Sequence, residues 1–315
     1  MATGSASRKV IYAALAGNLL VALTKFAAAA WTGSSAMLSE GVHSIVDTAN
    51  QLLLLYGISR SAKPRDEGHP LGYGRELYFW SFIVALLIFS LGAGVSFYEG
   101  IVHIGAPVPI TDPHVNYIVL GISFVFEGAT FLIALKEFNK LRGSLGYLEA
   151  VTRSKDPPSF LVLLEDSAAL IGIVIAFIGT LAADKLAMPV LDGVASIGIG
   201  LLLAATATFL ARESKGLLIG EGARGSTMRS IRQIAAEQPG VERVNDLVTV
   251  HLSPDQVVAA LSLEFQDALT TPDIERAVAA IEGHICKRHP EVVSIFVKPQ
   301  SSSTREQRAQ LTKPA

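Results

Sequence analysis

Glu40, His43 and Asp47 lie three and four residues apart in Ser35-Ala-Met-Leu-Ser-Glu-Gly-Val-His-Ser-Ile-Val-Asp47, inside a stretch that otherwise reads as membrane-spanning. A second such stretch, Leu161-Val-Leu-Leu-Glu-Asp-Ser-Ala-Ala-Leu-Ile171, carries Glu165 and Asp166. Ionisable groups at membrane depth are costly, and a chain keeps them there chiefly when they pair or bind something. On a helix, positions four apart lie one above the other on one face. His43 and Asp47 therefore point the same way, with Glu40 close to that face. One imidazole beside carboxylates suits a borderline divalent cation such as zinc.

The whole chain supports the membrane reading. Of 315 residues, 50% are hydrophobic and only 17% charged, against about 25% charged in a soluble domain. Mean hydropathy is +0.43. A net charge of −2 gives no reason to expect a nucleic-acid partner. The single cysteine, Cys286, excludes an internal disulfide and a cysteine-cluster metal site, and reads as a small buried apolar residue.

A membrane helix needs about 20 mostly apolar residues. Six stretches qualify, at approximately 10–31, 34–58, 79–101, 115–136, 158–182 and 189–211. Lys and Arg gather in two of the linkers: Arg60, Lys63, Arg65 and Arg75 in one, Lys140, Arg142, Arg153 and Lys155 in the other. The opposite set of linkers holds only Lys185. Positive charge accumulates on the cytoplasmic side, so both termini are expected there. Trp31, Tyr78 and Trp80 fall at span ends, where amphipathic rings favour the interface. His103 and His114 are expected in an outer loop, as surface residues.

Residues 1–212 thus form an expected six-helix membrane domain, and 213–300 a cytoplasmic α+β domain. In the latter, a helix at Thr227–Gln238, strands at Leu247–Leu252 and Val257–Phe265, a helix from Thr271 to about Lys287 and a strand at Val292–Val297 give the order α-β-β-α-β. Ser253-Pro-Asp-Gln256 reads as the turn between the first two strands. That order is consistent with a small ferredoxin-like module. Residues 301–315 have little apolar content and are expected to be disordered.

Rise per residue tests whether the two acidic stretches meet. Counting from opposite ends at about 1.5 Å per residue, Asp47 and Asp166 reach similar depth from opposite directions. His43, Asp47 and Asp166 converge if their helices are neighbours. Glu165 lies about 100° around the helix from Asp166, so both cannot aim squarely at one ion. It is a ligand, an accessory proton carrier or a partner for another helix. Glu40 is nearer the outer interface and is a further candidate. The rival readings are a buried ion pair, for which Lys25 is the one possible cation at that level, and a hydrogen-bonded polar seam between helices. Asn18 and Ser44 read as interhelical hydrogen-bond groups, and Glu127 and Asp192 as packing or pathway groups. The small-residue run Gly193, Ala195, Gly198, Gly200 suggests close helix packing.

With these residues in place, the chain resembles the cation diffusion facilitators along nearly its whole length. Ser39-Glu-Gly-Val-His43-Ser-Ile-Val-Asp47 is similar to that family's second-helix motif, His69-Pro-Leu-Gly-Tyr-Gly-Arg75-Glu76 to its loop before the third helix, and Asp166 with Gly172 to its fifth-helix motif. Glu165-Asp166-Ser-Ala-Ala169 resembles one branch that includes organellar relatives. The resemblance implies a homodimeric six-helix transporter, not an enzyme, that exports a divalent metal from the cytosol in exchange for protons. It implies His43, Asp47 and Asp166 as ligands. Val162 stands where the family often has another His or Asp, so Glu165, Glu40 or water would complete the shell. Such a carboxylate-rich set admits Mn²⁺, Fe²⁺ or Co²⁺ beside Zn²⁺. In the soluble domain Asn245, Ser262 and Phe296 stand where relatives often place metal-binding groups, so dimer packing is expected there rather than a metal centre. A membrane metal sensor and an intramembrane metal-dependent hydrolase are the alternative readings. A bacterial cytoplasmic membrane is the expected location.

Overall fold

Long apolar runs with no proline inside them leave the backbone one way to satisfy its own polar groups in an apolar medium. The computed structural model describes residues 5–301, and for residues 5–14, 16 and 141 the backbone alone. The described chain falls into two compact units. One comprises the chain up to Arg60 with Glu76–Lys215, the other Ser61–Arg75 with the chain from Gly216 onward. Of the tail expected to be disordered, all but Ser301 lies outside the described residues.

The first unit is a helical bundle of six long segments. These are α1 (Ser5–Thr32), α2 (Ser35–Ser61), a composite third segment, α5 (Pro113–Arg142), α7 (Pro157–Lys185) and α8 (Val190–Ile219). The third segment runs as α3 (Glu76–Leu87), a π-helical turn (Ile88–Ala93) and α4 (Gly94–Gly105). A short α6 (Tyr147–Arg153), not expected from the sequence, lies in the linker before α7. Four segments, Glu76–Gly105, Pro113–Lys140, Pro157–Lys185 and Val190–Ile219, are long and apolar enough by themselves to cross a membrane. α2 falls short of that measure because Glu40, His43, Asp47, Asn50 and Gln51 interrupt its apolar content.

How α2 begins fixes where those residues sit. α1 ends at Thr32, and Gly33 turns the chain with φ +73°, a left-handed conformation that favours glycine. The first N–H groups of α2 are then buried and have no partner within the helix. The carboxylate of Asp192, on α8, supplies one. It accepts from the backbone N–H of Ser35 at 2.6 Å and of Ala36 at 3.1 Å, and from the Ser34 hydroxyl at 2.8 Å. Ser34 Oγ in turn accepts from the Met37 N–H at 3.1 Å. Asp192 is fully buried, and its charge complements the positive end of the α2 dipole.

α4, α7 and α8 approach through small residues. A Cβ at Gly100 would lie 2.6 Å from Ile197 Cγ1 and 2.8 Å from the Gly193 carbonyl oxygen, so α4 and α8 touch backbone to backbone there. Gly200 meets Phe97 and the Ala93 carbonyl on the same face of α8, while Ala195 faces Gly179 of α7. Gly100→Ala is therefore expected to cost about 1–3 kcal/mol by overpacking. The thermal midpoint of the detergent-solubilised protein checks it. Gly105→Ala, where a Cβ meets nothing within 4 Å, is the control and should leave the midpoint in place.

Two residues of the third segment lie elsewhere than the sequence suggests. Tyr78 is not an interfacial ring; it is fully buried and donates to the Lys155 carbonyl at 3.3 Å. His103 is not a loop residue but lies buried in the last turn of α4. Both follow from the third segment being helical from Glu76 through Gly105, longer at each end than its apolar run.

In the second unit, α9 (Gly225–Ala236), β1 (Val241–Ser253), β2 (Gln256–Phe265), α10 (Thr271–Arg288) and β3 (Val292–Pro299) follow the expected order. β1 pairs antiparallel with β2, and β2 parallel with β3. β2 and β3 are direct neighbours, so the α10 crossover is unsplit. β1 starts six residues before its expected first residue, because register shifts at Val241/Arg243 and Val244/Asp246 break the alternation that marks a strand. Pro254 cannot take the positive φ of the usual two-residue hairpin turns, and a third shift at His251/Ser253 accommodates it. α10 is capped one residue earlier than its expected start. The Asp273 carboxylate accepts from the Thr270 N–H at 2.9 Å and its hydroxyl at 2.5 Å, which holds it below the usual carboxylate range.

Ala277, Ile281 and Ile285 of α10 and Ile231 and Ala235 of α9 cover one sheet face. Cys286, one position beyond Ile285, is exposed rather than buried. The loop Ser61–Arg75 belongs to this unit. Its Asp66 accepts from the Tyr73 hydroxyl at 2.6 Å and the His69 N–H at 2.8 Å, which lowers its carboxyl pKa. A Cβ at Gly74 would lie 2.7 Å from the Leu252 carbonyl oxygen, so the loop rests against the end of β1.

Candidate metal site

The polar residues of α2 recur every three or four positions, so Glu40, His43, Ser44, Asp47 and Gln51 form a stripe along one side. Two neighbours face it. Glu40 reaches the backbone of α7 at Gly172, where any Cβ would collide with Glu40 Oε1. Further along α2, Asn50 donates to Glu165 Oε1 at 3.1 Å. Moving forward on α2 is matched by moving back on α7, the register of antiparallel helices.

Adjacent on α7, Glu165 and Asp166 diverge by about 100°. Glu165 is buried against Asn50. Asp166 faces an open cleft that Asp47 also lines, together with Asn18, Ser44, Gln51, Glu127 and Thr130. His43 is buried beside Asp47, with Nδ1 3.5 Å from Asp47 Oδ1. Neither ring nitrogen of His43, nor Asp47 Oδ1, nor Asp166 Oδ2 has a hydrogen-bond partner among the described residues. Buried polar atoms are normally paired, so each such atom calls for an explanation. These four are imidazole nitrogens and carboxylate oxygens, the donor types of a divalent-cation site.

Glu40 has a different partner. Lys25 of α1 is fully buried and donates to Glu40 Oε2 at 3.0 Å, Ser44 Oγ at 2.8 Å and Glu127 Oε1 at 2.8 Å. The ion pair weighed against metal binding does exist, but it engages Glu40 and Glu127 and leaves Asp47 and Asp166 out of its hydrogen bonds. Glu127, on α5 and expected from the sequence as a packing or pathway group, pairs with Lys25 and lines the cleft. An acid within a span was itself the signal.

The near-tetrahedral cluster expected of His43, Asp47 and Asp166 is not gathered. Among the described residues, no three His, Cys, Asp or Glu side chains stand close enough to hold an ion as they are. Asn18 and Ser44 act between helices as expected, Asn18 donating to Gln51 at 3.1 Å. In the second unit, His251 Nδ1 lies 3.1 Å from the Ser253 carbonyl oxygen, and His289 Nε2 lies 2.8 Å from Ser230 Oγ.

Residues 11–219 match the family model described as the cation efflux transmembrane domain, and residues 223–300 that described as the cation efflux protein, cytoplasmic domain. The chain is similar to the proton-coupled zinc antiporter SLC30A9, mitochondrial, of Xenopus laevis, 34% identical over 265 residues, which are 84% of this chain and 47% of that protein. It is similar to metal tolerance protein C4 of Arabidopsis thaliana, 32% identical over 262 residues, or 82% of this chain and 57% of that protein. It is also similar to the cation-efflux pump FieF of Escherichia coli, 27% identical over 301 residues, or 95% of each. The chain spans about half the length of the first of these relatives.

Proposed function

The chain belongs to the cation efflux family, and on that premise we propose that it is a secondary transporter that moves a divalent metal cation out of the cytosol in exchange for protons. One observation carries this reading: Asp47 and Asp166, from antiparallel helices, line one cleft, and Asp47 Oδ1 and Asp166 Oδ2 have no hydrogen-bond partner among the described residues. His43 stands behind Asp47 as the nitrogen donor. Binding needs deprotonated carboxylates and a neutral imidazole, so loading releases protons and protons entering from the other side compete the metal off. No covalent step is required.

Zinc is the first candidate, since one imidazole with carboxylates suits it, and a similar protein bears the name of a zinc antiporter. With Val162 in place of a fourth donor, the set is rich in oxygen and admits Mn²⁺, Fe²⁺ and Co²⁺. Glu165 is held by Asn50, which suits a proton carrier or helix partner better than a ligand. Excess Lys and Arg in the linkers 59–78 and 137–157 supports a cytoplasmic α+β unit and cytoplasmic termini. Similarity over nearly the full length of an Escherichia coli pump supports a bacterial cytoplasmic membrane.

A second copy of the chain is the proposed partner. On the sheet face away from the helices, Val248, Ala260 and Phe296 form a row across all three strands, with Val248 60% and Phe296 57% exposed. Apolar rows of this kind mark association surfaces.

The deciding experiment is uptake into vesicles holding the purified chain, with Zn²⁺, Mn²⁺, Fe²⁺ and Co²⁺ offered in turn under an imposed pH gradient. Uptake of at least one metal that collapses with the gradient is expected. Absence of flux for every metal, with the protein folded, overturns the reading.

A further inference from the structure

One ammonium and five acids share this part of the bundle: Lys25 against Glu40, Asp47, Glu127, Glu165 and Asp166. Lys25 is fully buried, and its three donors all point at acceptors: Glu40, Ser44 and Glu127. It has no spare donor for the aspartates of the cleft. Glu127 is the acid common to both neighbourhoods. Its Oε1 is held by Lys25 at 2.8 Å, while its Oε2 is buried with no partner among the described residues. Its side chain lines the same cleft as Asp47 and Asp166. Ser44 is likewise shared, since it accepts from Lys25 and lines the cleft.

The helices explain why these groups cannot avoid one another. Glu40 and Ser44 lie one turn apart on α2, so an ammonium bound to both is fixed along that helix. Asp47 is three residues beyond Ser44 on the same stripe. α5 brings Glu127 and Thr130 to the cleft one turn apart. Any cation that enters between Asp47 and Asp166 thus arrives beside a carboxylate already half committed to Lys25.

Resting on the transport reading above, we propose that Glu127 is a third carboxylate of the cation path and that Lys25 is a tethered counter-cation competing with the transported ion for it. An incoming divalent cation takes Glu127 Oε2 together with the aspartates. Lys25, still anchored by Glu40 and Ser44, then repels that ion at close range, and so weakens binding and hastens release. Glu127 here is a binding residue. Lys25 is a positioning residue that touches the ion only through Glu127 and through its field.

The test is a double-mutant cycle on the full-length protein in proteoliposomes. Zn²⁺ is the probe, the KM and maximal rate of flux are the readouts, and calorimetry gives Zn²⁺ affinity in detergent. Glu127→Gln keeps the Lys25 contact through its amide oxygen and loses the charge. It is expected to raise KM and weaken Zn²⁺ binding on the order of tenfold or more, as loss of a group supporting a metal site does. Lys25→Met is expected to lower KM and the maximal rate together, because the ion is held more tightly and leaves more slowly. In the Glu127→Gln background the Lys25→Met effect should shrink markedly, since contacting residues are not additive.

Should Lys25→Met fail to fold, Glu127→Asp serves instead. It keeps the charge and withdraws it by one methylene, and it should raise KM with a normal thermal midpoint. Wild-type KM and Zn²⁺ affinity in both Glu127→Gln and Glu127→Asp, while Asp166→Asn abolishes flux, overturn this proposal and leave the transport site standing. Wild-type flux in Asp166→Asn overturns the transport reading itself.

Discussion

Asp47→Ala and Asp166→Ala are each expected to reduce metal-driven flux by more than about 100-fold, the upper end of what losing an outer-shell partner costs a metal site. The same substitutions should leave stability unchanged or raise it. Both residues are half-buried acids lining the cleft, and Asp47 Oδ1 and Asp166 Oδ2 are buried atoms with no hydrogen-bond partner among the described residues. A buried polar group without a partner weakens the fold, and its removal relieves that cost. The pairing of lost flux with a retained or higher thermal midpoint separates a ligand from a structural group. Vesicle uptake and the unfolding midpoint in detergent, on the same preparations, check both halves. Wild-type transport in both variants would end the site assignment.

Asp192→Ala should behave in the opposite way. That carboxylate is buried and accepts from two backbone N–H groups at the start of α2 and from the Ser34 hydroxyl. The hydroxyl can turn to another acceptor, but the N–H groups of Ser35 and Ala36 cannot. Each buried donor left unpaired costs about 1–3 kcal/mol, so the pair costs roughly 4 kcal/mol. Against a total of about 5–15 kcal/mol for a typical fold, that is a large share. Asp192→Asn keeps one carbonyl acceptor and should lose about half as much. The thermal midpoint reports the order wild type, Asn, Ala. A wild-type midpoint for Asp192→Ala would show that α2 is capped by other means.

The sequence carried the ingredients of the site more fully than their arrangement. Glu40, His43, Asp47, Glu165 and Asp166 stand out because ionisable groups inside apolar stretches are costly, and the level of Asp47 and Asp166 follows from the rise of a helix. What it could not tell is which acid meets which partner. Lys25 and Glu127 are 102 positions apart and share no periodicity, so their contact depends on α1 lying beside α5. Asp192 is the packing group expected, but its role as a cap was not legible for a similar reason: a capping group normally sits in the same segment as the helix it caps, whereas this one comes from 156 positions further along the chain. In the α+β unit the regular parts of the strands were legible and the bulged start of β1 was not. Cys286 is exposed despite its apolar character because it falls one step past the buried Ile285 on α10.

The wide turn in the third segment sets a phase. Ile88, Gly92, Ser96 and Gly100 are all buried at intervals of four, yet each such interval on a regular helix overshoots a full turn by about 40°. Three intervals would swing Gly100 roughly 120° away from Ile88's side. The π segment Ile88–Ala93, in which the Gly94 N–H reaches back to the Phe89 carbonyl, absorbs the surplus. Eleven steps along a regular helix would bring position 100 within about 20° of Ile88's side, so the wide turn takes up one residue more than a regular helix needs between these two contacts.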